Sequence, residues 1–426
     1  MRILSITAGP AGMYCGSCIR DNALAREMIR EGHDVTLLPL YTPTRPDEEN
    51  VSDEHIFFGG ISVYLEEKAP LFRYTPRWLD KLWDSRFALG LASKGSVSNQ
   101  ADDLAPLTIS MLRGEHGHQR KEFGKMLDWL VTQPRYDVVC LSYTLLLGLA
   151  EPLKRALKCP IVCAMQGEDL FLDGLGAAKD QAIALIREQS QHVDALIAVS
   201  EYYGEFMTSY LGLPANKIHV AALGISLEGY SPRSEIAQPF TIGYFARVAP
   251  EKGLHILAEA YRILRRDRGL PPSRLLAAGY LGPESRAYLE RIDKAMQEAG
   301  LAAEFQYQGQ MTREQKLEFL SQLDVFSTPS IYHEPKGLSV LEAMASGVPV
   351  VLPSHGAFPE IVRNTGGGVL CDPESPASLA DAILSQHRDA DARRRMGAAG
   401  AAGVREHYGV ARSARDTLKV LQAVLQ

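Results

Sequence analysis

The stretch His333-Glu334-Pro335-Lys336-Gly337-Leu338-Ser339-Val340-Leu341-Glu342-Ala343-Met344-Ala345-Ser346-Gly347-Val348-Pro349-Val350 decides how the chain is read. It has the pattern of a strand end and loop, a helix that opens near Gly337 and stops at Gly347, and a further strand. Backbone N–H groups at a helix start have no intrahelical acceptor, so they favour anions. Glu334 stands before that start and Glu342 lies about one and a half turns inside it. Two carboxylates therefore flank a helix end suited to phosphate, and carboxylates accept hydrogen bonds from sugar hydroxyls. Taken alone, the pair also reads as one acid offsetting the helix dipole and a second on a solvated face.

Upstream, Gly243-Tyr244-Phe245-Ala246-Arg247-Val248-Ala249-Pro250-Glu251-Lys252-Gly253 repeats the arrangement with opposite charge. A strand ends, and a loop carries Arg247 and Lys252 into the next helix. Two cations beside a helix N-terminus suit a diphosphate, although alone they also read as solvated surface charges.

Around these segments, short β-branched runs alternate with amphipathic stretches. Strands are expected at 2–7, 34–40, 136–142, 160–165, 194–200 and 218–223, and again at 240–247, 274–279, 304–309, 324–328, 349–353 and 368–371. Leu254, Leu257, Ala258, Tyr261 and Leu264 have helical spacing. Thr312-Arg313-Glu314-Gln315 reads as a capping box, and Ser375-Pro376 as an N-cap followed by Pro at the first helical position. Such alternation implies parallel sheets covered by helices on both faces. The polar stretch 226–238 breaks it and is read as a linker. The expected organisation is two doubly wound α/β domains, 1–225 and 239–409, facing each other across a cleft, with a helix at 410–426. Val410, Leu418, Leu421 and Leu425 fall on or near one face of that helix. In these folds ligands bind beyond the carboxyl ends of the strands.

Residues 42–133 do not fit the alternation and read as an insertion, with a hairpin turn at Phe57-Phe58-Gly59-Gly60-Ile61 and all three tryptophans, Trp78, Trp83 and Trp129. Arg113, His116, His118, Arg120 and Lys121 form a cationic cluster there, read as a solvated loop or as a site for a phosphorylated acceptor or anionic lipid. Trp78, Leu79, Leu82, Trp83 and Phe87 form an aromatic helical stripe. It reads as core, as an acceptor wall, or as the surface through which the insertion meets a membrane or a second copy of the chain.

Composition narrows the class. With 46 % hydrophobic and 23 % charged residues over 426 positions, the chain is long and apolar enough to bury a sizeable core without disulfides. A net charge of −6 argues against a protein that coats nucleic acid. Six scattered cysteines do not make a secreted disulfide framework, which points to a reducing, cytoplasmic setting. No run reaches the roughly 18 apolar residues of a membrane helix. Cys15-Gly16-Ser17-Cys18 has C-x2-C spacing, but no second pair completes a zinc site. Asp389-Ala390-Asp391 beside Arg393-Arg394-Arg395 reads as surface charge on a helix. No metal and no cofactor are expected.

The two segments together resemble the retaining, nucleotide-sugar-dependent glycosyltransferases of family 4, which have the GT-B fold. Glu334 and Glu342 match the family's E-x7-E pair, and Arg247 and Lys252 its cation pair. Further matches are Gly16 in the loop before the first helix, Gly32-His33-Asp34-Val35, Asp194-Ala195-Leu196-Ile197-Ala198-Val199-Ser200, Pro359-Glu360-Ile361-Val362 and Gly366-Gly367-Gly368. The resemblance covers everything except roughly 42–133. The chain departs from the pattern at Gln166-Gly167-Glu168-Asp169, where the family usually begins with His; at Cys15, where it has Gly; at Leu223-Gly224, where it has Asn-Gly; and at Lys336, where an aromatic is common. Gln hydrogen-bonds a hydroxyl but transfers no proton as His does.

What the resemblance implies is a transfer of a hexose, with retention of configuration, from a nucleoside diphosphate sugar to an unidentified acceptor: a small metabolite, a glycan or a lipid-linked sugar. Uridine is favoured over guanosine. Glu342 would bind the ribose, and Arg247 and Lys252 the diphosphate. Glu334 with the amides of Gly337, Leu338 and Ser339 would position the sugar. The backbone near Gln310 and Met311 would meet the base. Gly16, Gln166 and Asp169 would complete the cleft, and the C-terminal helix would cross back to the first domain. The rival readings are a non-catalytic nucleotide-sugar-binding protein and a nucleotide-sugar epimerase or hydrolase of the same fold.

Overall fold

The runs expected to be strands pair with one another, always in parallel, and the central ones are buried along their length. In the computed structural model, which describes residues 1–9, 16–44, 48–57, 101–232 and 239–426, they form two six-stranded sheets. The first contains β1 (Arg2–Thr7), β2 (Asp34–Pro39), β3 (Val138–Leu141), β4 (Ile161–Met165), β5 (Ala195–Ala198) and β6 (Ile218–Val220), in the order β2-β1-β3-β4-β5-β6. The second contains β7 (Thr241–Phe245), β8 (Arg274–Ala278), β9 (Phe305–Tyr307), β10 (Val325–Phe326), β11 (Val350–Pro353) and β12 (Gly368–Cys371), in the order β12-β11-β10-β7-β8-β9. All twelve lie inside the expected runs. Both orders reverse beside the first strand of the sheet, the switch point at which doubly wound folds place ligands.

The chain divides into two compact units, Met1–Ala222 with Ser413–Gln426, and Leu223–Arg412. In the first, Ile3, Val138, Val162, Ala195 and Ile197 of the strands pack with Met28 of the helix Gly16–Arg30. The helix Val410–Ala423 adds Ala414, Leu418 and Leu421 to the same core. Leu425 lies past its end and is 41 % exposed, so the apolar face stops one turn earlier than the spacing suggested. In the second unit, Ile242, Tyr244, Leu275 and Val351 pack against Leu254, Leu257, Ala258, Tyr261 and Leu264 of the helix Leu254–Arg266.

Leu223–Tyr230 belong with the second unit, although the stretch from 226 reads as a linker. Ile225 N–H donates to Tyr408 O at 2.8 Å, Val410 N–H donates to Ile225 O at 2.9 Å, and Ser226 and Tyr230 are buried. The helix starts behave as their sequences suggest. Thr312 and Gln315 close a reciprocal capping box at the helix Arg313–Ser321, and Ser375 accepts from Ser378 N–H ahead of Pro376–Arg388. Asp389 caps the helix Ala390–His407, and Asp391 pairs with Arg394 on it.

Within the insertion, the hairpin turn from Phe58 onward and the stripe Trp78, Leu79, Leu82, Trp83 and Phe87 lie outside the described residues, as does Cys15. Trp129, on the helix Arg120–Leu130, packs against His55 and Phe57 with ring centroids 4.8 and 5.2 Å away. Among the described residues no helix is long and apolar enough to cross a membrane, and no group of three His, Cys, Asp or Glu side chains could hold a metal ion.

Candidate active site

The second unit carries most of the residues singled out by sequence, with Arg247, Lys252, Glu334 and Gly337 on two neighbouring loops. β7 and β10 are adjacent and parallel, so the loops that follow them leave the same edge of the sheet. After β7 the chain passes Arg247, makes a short turn Pro250–Lys252, and enters the helix Leu254–Arg266 through Gly253. Gly253 has φ +75°, and a Cβ there would stand 1.8 Å from Pro329 O, so the first loop lies directly against the second. Ile331 N–H and the Ser330 hydroxyl both donate to Glu251 O, at 3.0 and 2.9 Å, and lace the loops together.

Lys252 Nζ donates to Glu334 Oε2 and forms an ion pair in which both side chains are less than one fifth exposed. The Lys252 ammonium also lies 5.3 Å from the centre of the Tyr332 ring. Burial alone would push the Glu334 carboxyl up. The charges of Lys252 and Lys336 and the backbone N–H of Gly337 outweigh it and hold the carboxyl below the usual carboxylate range. Glu334 thus sits as an anion at the head of the helix Leu338–Ala345, whose preceding residue Gly337 has φ +65°. Behind Glu334, Ala357 N–H donates to its carbonyl at 2.8 Å, and His333 stacks on His355 with centroids 4.4 Å apart. Burial, and then the neighbouring His333, lower the pKa of His355, which favours its neutral form.

Arg247 is 44 % exposed and pairs with Glu251 one turn on. That pair is solvent-screened and is readily exchanged for another anion. Glu342 lies elsewhere, buried on the same helix, where Tyr230 OH and Lys316 Nζ donate to it at 2.9 and 2.6 Å. Gln310 and Met311 lie in the loop between β9 and the helix Arg313–Ser321, the first exposed and the second half-buried. Leu338 and Ser339 are half-buried in the first turn after Gly337.

The remaining three belong to the first unit. Gly16 begins the helix Gly16–Arg30. Gln166 and Asp169 are buried in an internal network. Gln166 Nε2 donates to Ser142 O at 2.6 Å and to Asp21 Oδ1 at 3.2 Å. Its backbone N–H donates to Glu168 Oε2 at 2.8 Å, and Tyr203 OH donates to Asp169 at 2.8 Å. Asp21 also accepts from Thr7 and Arg20, yet burial raises its carboxyl above the usual range.

Sequence reading passed over Lys316 and Tyr230. Tyr230 sits in a stretch whose polarity and Gly-Pro content read as a linker. Lys316 sits in the polar run Arg313-Glu314-Gln315-Lys316, but its spacing to Phe319 and Leu320 places it on the buried face of that helix. That spacing is the signal that identifies it.

Comparison with known proteins bears on the family and on the fold. The family described as "Glycosyl transferase 4-like domain" matches residues 20–224, and "Glycosyl transferases group 1" matches 231–402. The alpha-maltose-1-phosphate synthase of Mycolicibacterium smegmatis is 29 % identical over 56 % of this chain and 65 % of its own length. The D-inositol 3-phosphate glycosyltransferase of Streptomyces scabiei is 31 % identical over 54 % of each. The GDP-mannose-dependent alpha-(1-6)-phosphatidylinositol monomannoside mannosyltransferase of Mycobacterium tuberculosis is 28 % identical over 51 % of this chain and 59 % of its own. The chain therefore matches less than two thirds of the length of each of these relatives. Among solved structures, HepE of Anabaena in complex with UDP superposes with a TM-score of 0.71 at 16 % identity, over 99 % of this chain and 100 % of that one. Sucrose-phosphate synthase of Thermosynechococcus elongatus does so with 0.71 at 18 %, over 99 % and 98 %. At those identities the likeness speaks for the fold, two parallel sheets of six strands with flanking helices. By the two family matches, which follow one another along most of its length, and by this architecture, the chain belongs to the family 4 glycosyltransferases of the GT-B fold.

Proposed function

We propose that the protein is a retaining hexosyltransferase that uses a nucleoside diphosphate sugar, uridine favoured over guanosine, and needs no metal ion. The observation that carries this reading is the pairing of Lys252 with Glu334 at the head of the helix Leu338–Ala345. It gathers a cation for a diphosphate, a carboxylate for sugar hydroxyls and a helix N-terminus in one place. In this reading Arg247 and Lys252 hold the diphosphate and stabilise the charge that grows on it as the bond from the sugar C1 lengthens. Glu334 and the amides of Gly337, Leu338 and Ser339 orient the sugar, Glu342 takes the ribose, and the backbone at Gln310 and Met311 meets the base. Gly16, Gln166 and Asp169 serve the acceptor side.

The acceptor oxygen attacks C1 from the face that the diphosphate leaves. The bond from C1 to the diphosphate oxygen breaks, and the acceptor's proton passes to that oxygen. No protein base is required, which suits Gln166 at a position where His is usual. HepE bound to UDP supports uridine, whereas the mycobacterial relative is named for GDP-mannose, so the donor base is the first quantity to measure. The six scattered cysteines support a cytoplasmic setting for the reaction.

The test is product analysis with radiolabelled UDP- and GDP-sugars and a cell-extract pool of acceptors. The expected outcome is label transferred to a larger product with the α configuration of the donor retained. Free labelled sugar alone identifies a hydrolase, an altered sugar still on its nucleotide identifies an epimerase, and binding without turnover identifies a binding protein.

A further inference from the structure

Among the described residues, both hydrogen bonds received by Glu342 end on the same oxygen. Lys316 Nζ donates to Oε1 at 2.6 Å and Tyr230 OH donates to Oε1 at 2.9 Å. A carboxylate oxygen has about two lone-pair directions to offer. Those of Oε1 are both taken, and those of Oε2 are the two that remain for a ligand.

The two donors are themselves held. Lys316 is 2 % exposed, the one lysine in the interior among the described residues, and its helix is locked at the first turn by the Thr312–Gln315 capping box. Tyr230 is 4 % exposed. The Arg313 guanidinium lies 5.4 Å from its ring centre, and Arg405 Nη2 donates to its carbonyl at 3.3 Å. A buried ammonium–carboxylate pair is a poor source of stability, because desolvating the two ions offsets most of their attraction. What such a pair supplies well is a fixed position. With Oε1 held from two sides, the carboxylate plane cannot turn, and the side chain keeps only 8 % of its surface exposed.

We propose that Lys316 and Tyr230 are positioning residues of the donor site: they clamp Oε1 of Glu342 so that Oε2 faces the neighbouring 2′- and 3′-hydroxyls of the nucleotide ribose, which makes the site selective for ribonucleotides. The inference rests on the reading of Glu342 as the ribose ligand. Two vicinal hydroxyls supply two donors, which matches the two acceptor directions left on Oε2. Neither Lys316 nor Tyr230 touches the reacting atoms; both act through Glu342.

Calorimetry with UDP and with 2′,3′-dideoxy-UDP tests this on the full chain, using wild type, Lys316→Met, Lys316→Arg and Tyr230→Phe, each with its melting temperature recorded. Wild type is expected to bind UDP roughly tenfold to a hundredfold more tightly than the dideoxy nucleotide, as for loss of hydrogen bonds to a charged acceptor. Lys316→Met and Tyr230→Phe are expected to lose most of that ratio by weakening UDP alone, with dideoxy-UDP unchanged within about twofold. Lys316→Arg is expected to restore part of it. If the variants weaken both nucleotides equally, the pair only staples two helices and the proposal is overturned. If wild type does not distinguish the nucleotides, Glu342 is not the ribose ligand and the reading beneath the proposal falls with it. Should Lys316→Met not fold, Tyr230→Phe and Lys316→Arg decide by the same ratio.

Discussion

Lys252 and Glu334, 82 positions apart in the chain, meet as an ion pair at the opening of one helix. Without a donor, each neutralises the other. Under the proposed function the diphosphate displaces Glu334 from Lys252, and Glu334 is released toward the sugar.

Removing the carboxylate therefore separates the two roles. Glu334→Gln frees Lys252, so UDP affinity should stay level or rise by up to about tenfold, the scale of one charge-assisted contact. The same change should cut kcat, because a carboxylate near the ring stabilises the positive charge that builds there in the transition state. Calorimetry and steady-state kinetics on one variant suffice. Loss of UDP binding with kcat preserved would show the opposite assignment.

Glu342 should fail in the other way. The ribose does not react, so its contacts are similar in the ground and transition states. Glu342→Ala should raise donor KM roughly tenfold to a hundredfold, for a lost contact of about 1.5–3 kcal/mol, with kcat little changed. It should also weaken UDP alone, which Glu334→Gln does not.

The pair leaves a mark on acid stability. The folded Glu334 carboxyl lies below its ordinary value, so its contribution is complete above the unfolded carboxyl's pKa and is lost as pH falls through the lower folded value. The melting-temperature advantage of wild type over Lys252→Met should be level from neutral pH to about 5 and should shrink below about 4, where glutamate titrates in unfolded chains. An advantage that persists unchanged into strong acid would mean that Lys252 stabilises by packing rather than charge.

Gln166 is expected to matter for folding more than for chemistry. Its amide donates to Ser142 O and is one of three side-chain donors to Asp21 in the interior, so Gln166→Ala takes the side-chain donor from the buried Ser142 O and should cost about 1–3 kcal/mol of stability. Transfer should slow but persist at a temperature where the variant is folded, since the leaving diphosphate takes the acceptor's proton. Abolished turnover in a folded variant that still binds donor would assign Gln166 a part in the chemistry itself.

Metal independence is checked by ligand-induced stabilisation. UDP should raise the melting temperature by the same amount with and without chelator. A shift that vanishes with chelator and returns with magnesium or manganese would overturn the assignment of the diphosphate to Arg247 and Lys252.

Local pattern determined a great deal of this molecule. All twelve strands lie inside runs visible in the sequence, most plainly β4, β5 and β11, which are buried along their whole length and must be apolar. The helix starts at Thr312 and Ser375 follow from capping chemistry, which acts over three or four residues, and the start at Gly337 from a glycine in the left-handed region. The spacing of Glu334 and Glu342 and the cations Arg247 and Lys252 are likewise local features. Partners distant in the chain were decided elsewhere. Lys252 meets Glu334 because β10 lies beside β7 in the sheet order, a pairing that no spacing along the chain encodes. Tyr230 stands in a polar stretch and is buried because Ile225 and Tyr408 tie that stretch to the second unit. Lys316 looks like a surface lysine until the helix Leu338–Ala345 brings Glu342 to it. Gln166 turns inward, where its amide donates to Ser142 O and adds to the donors around Asp21. Propensity and periodicity act between near neighbours. The pairing of buried charge and the choice of which polar group faces inward depend on what the folded chain places within 3 Å, and only the tertiary structure decides that.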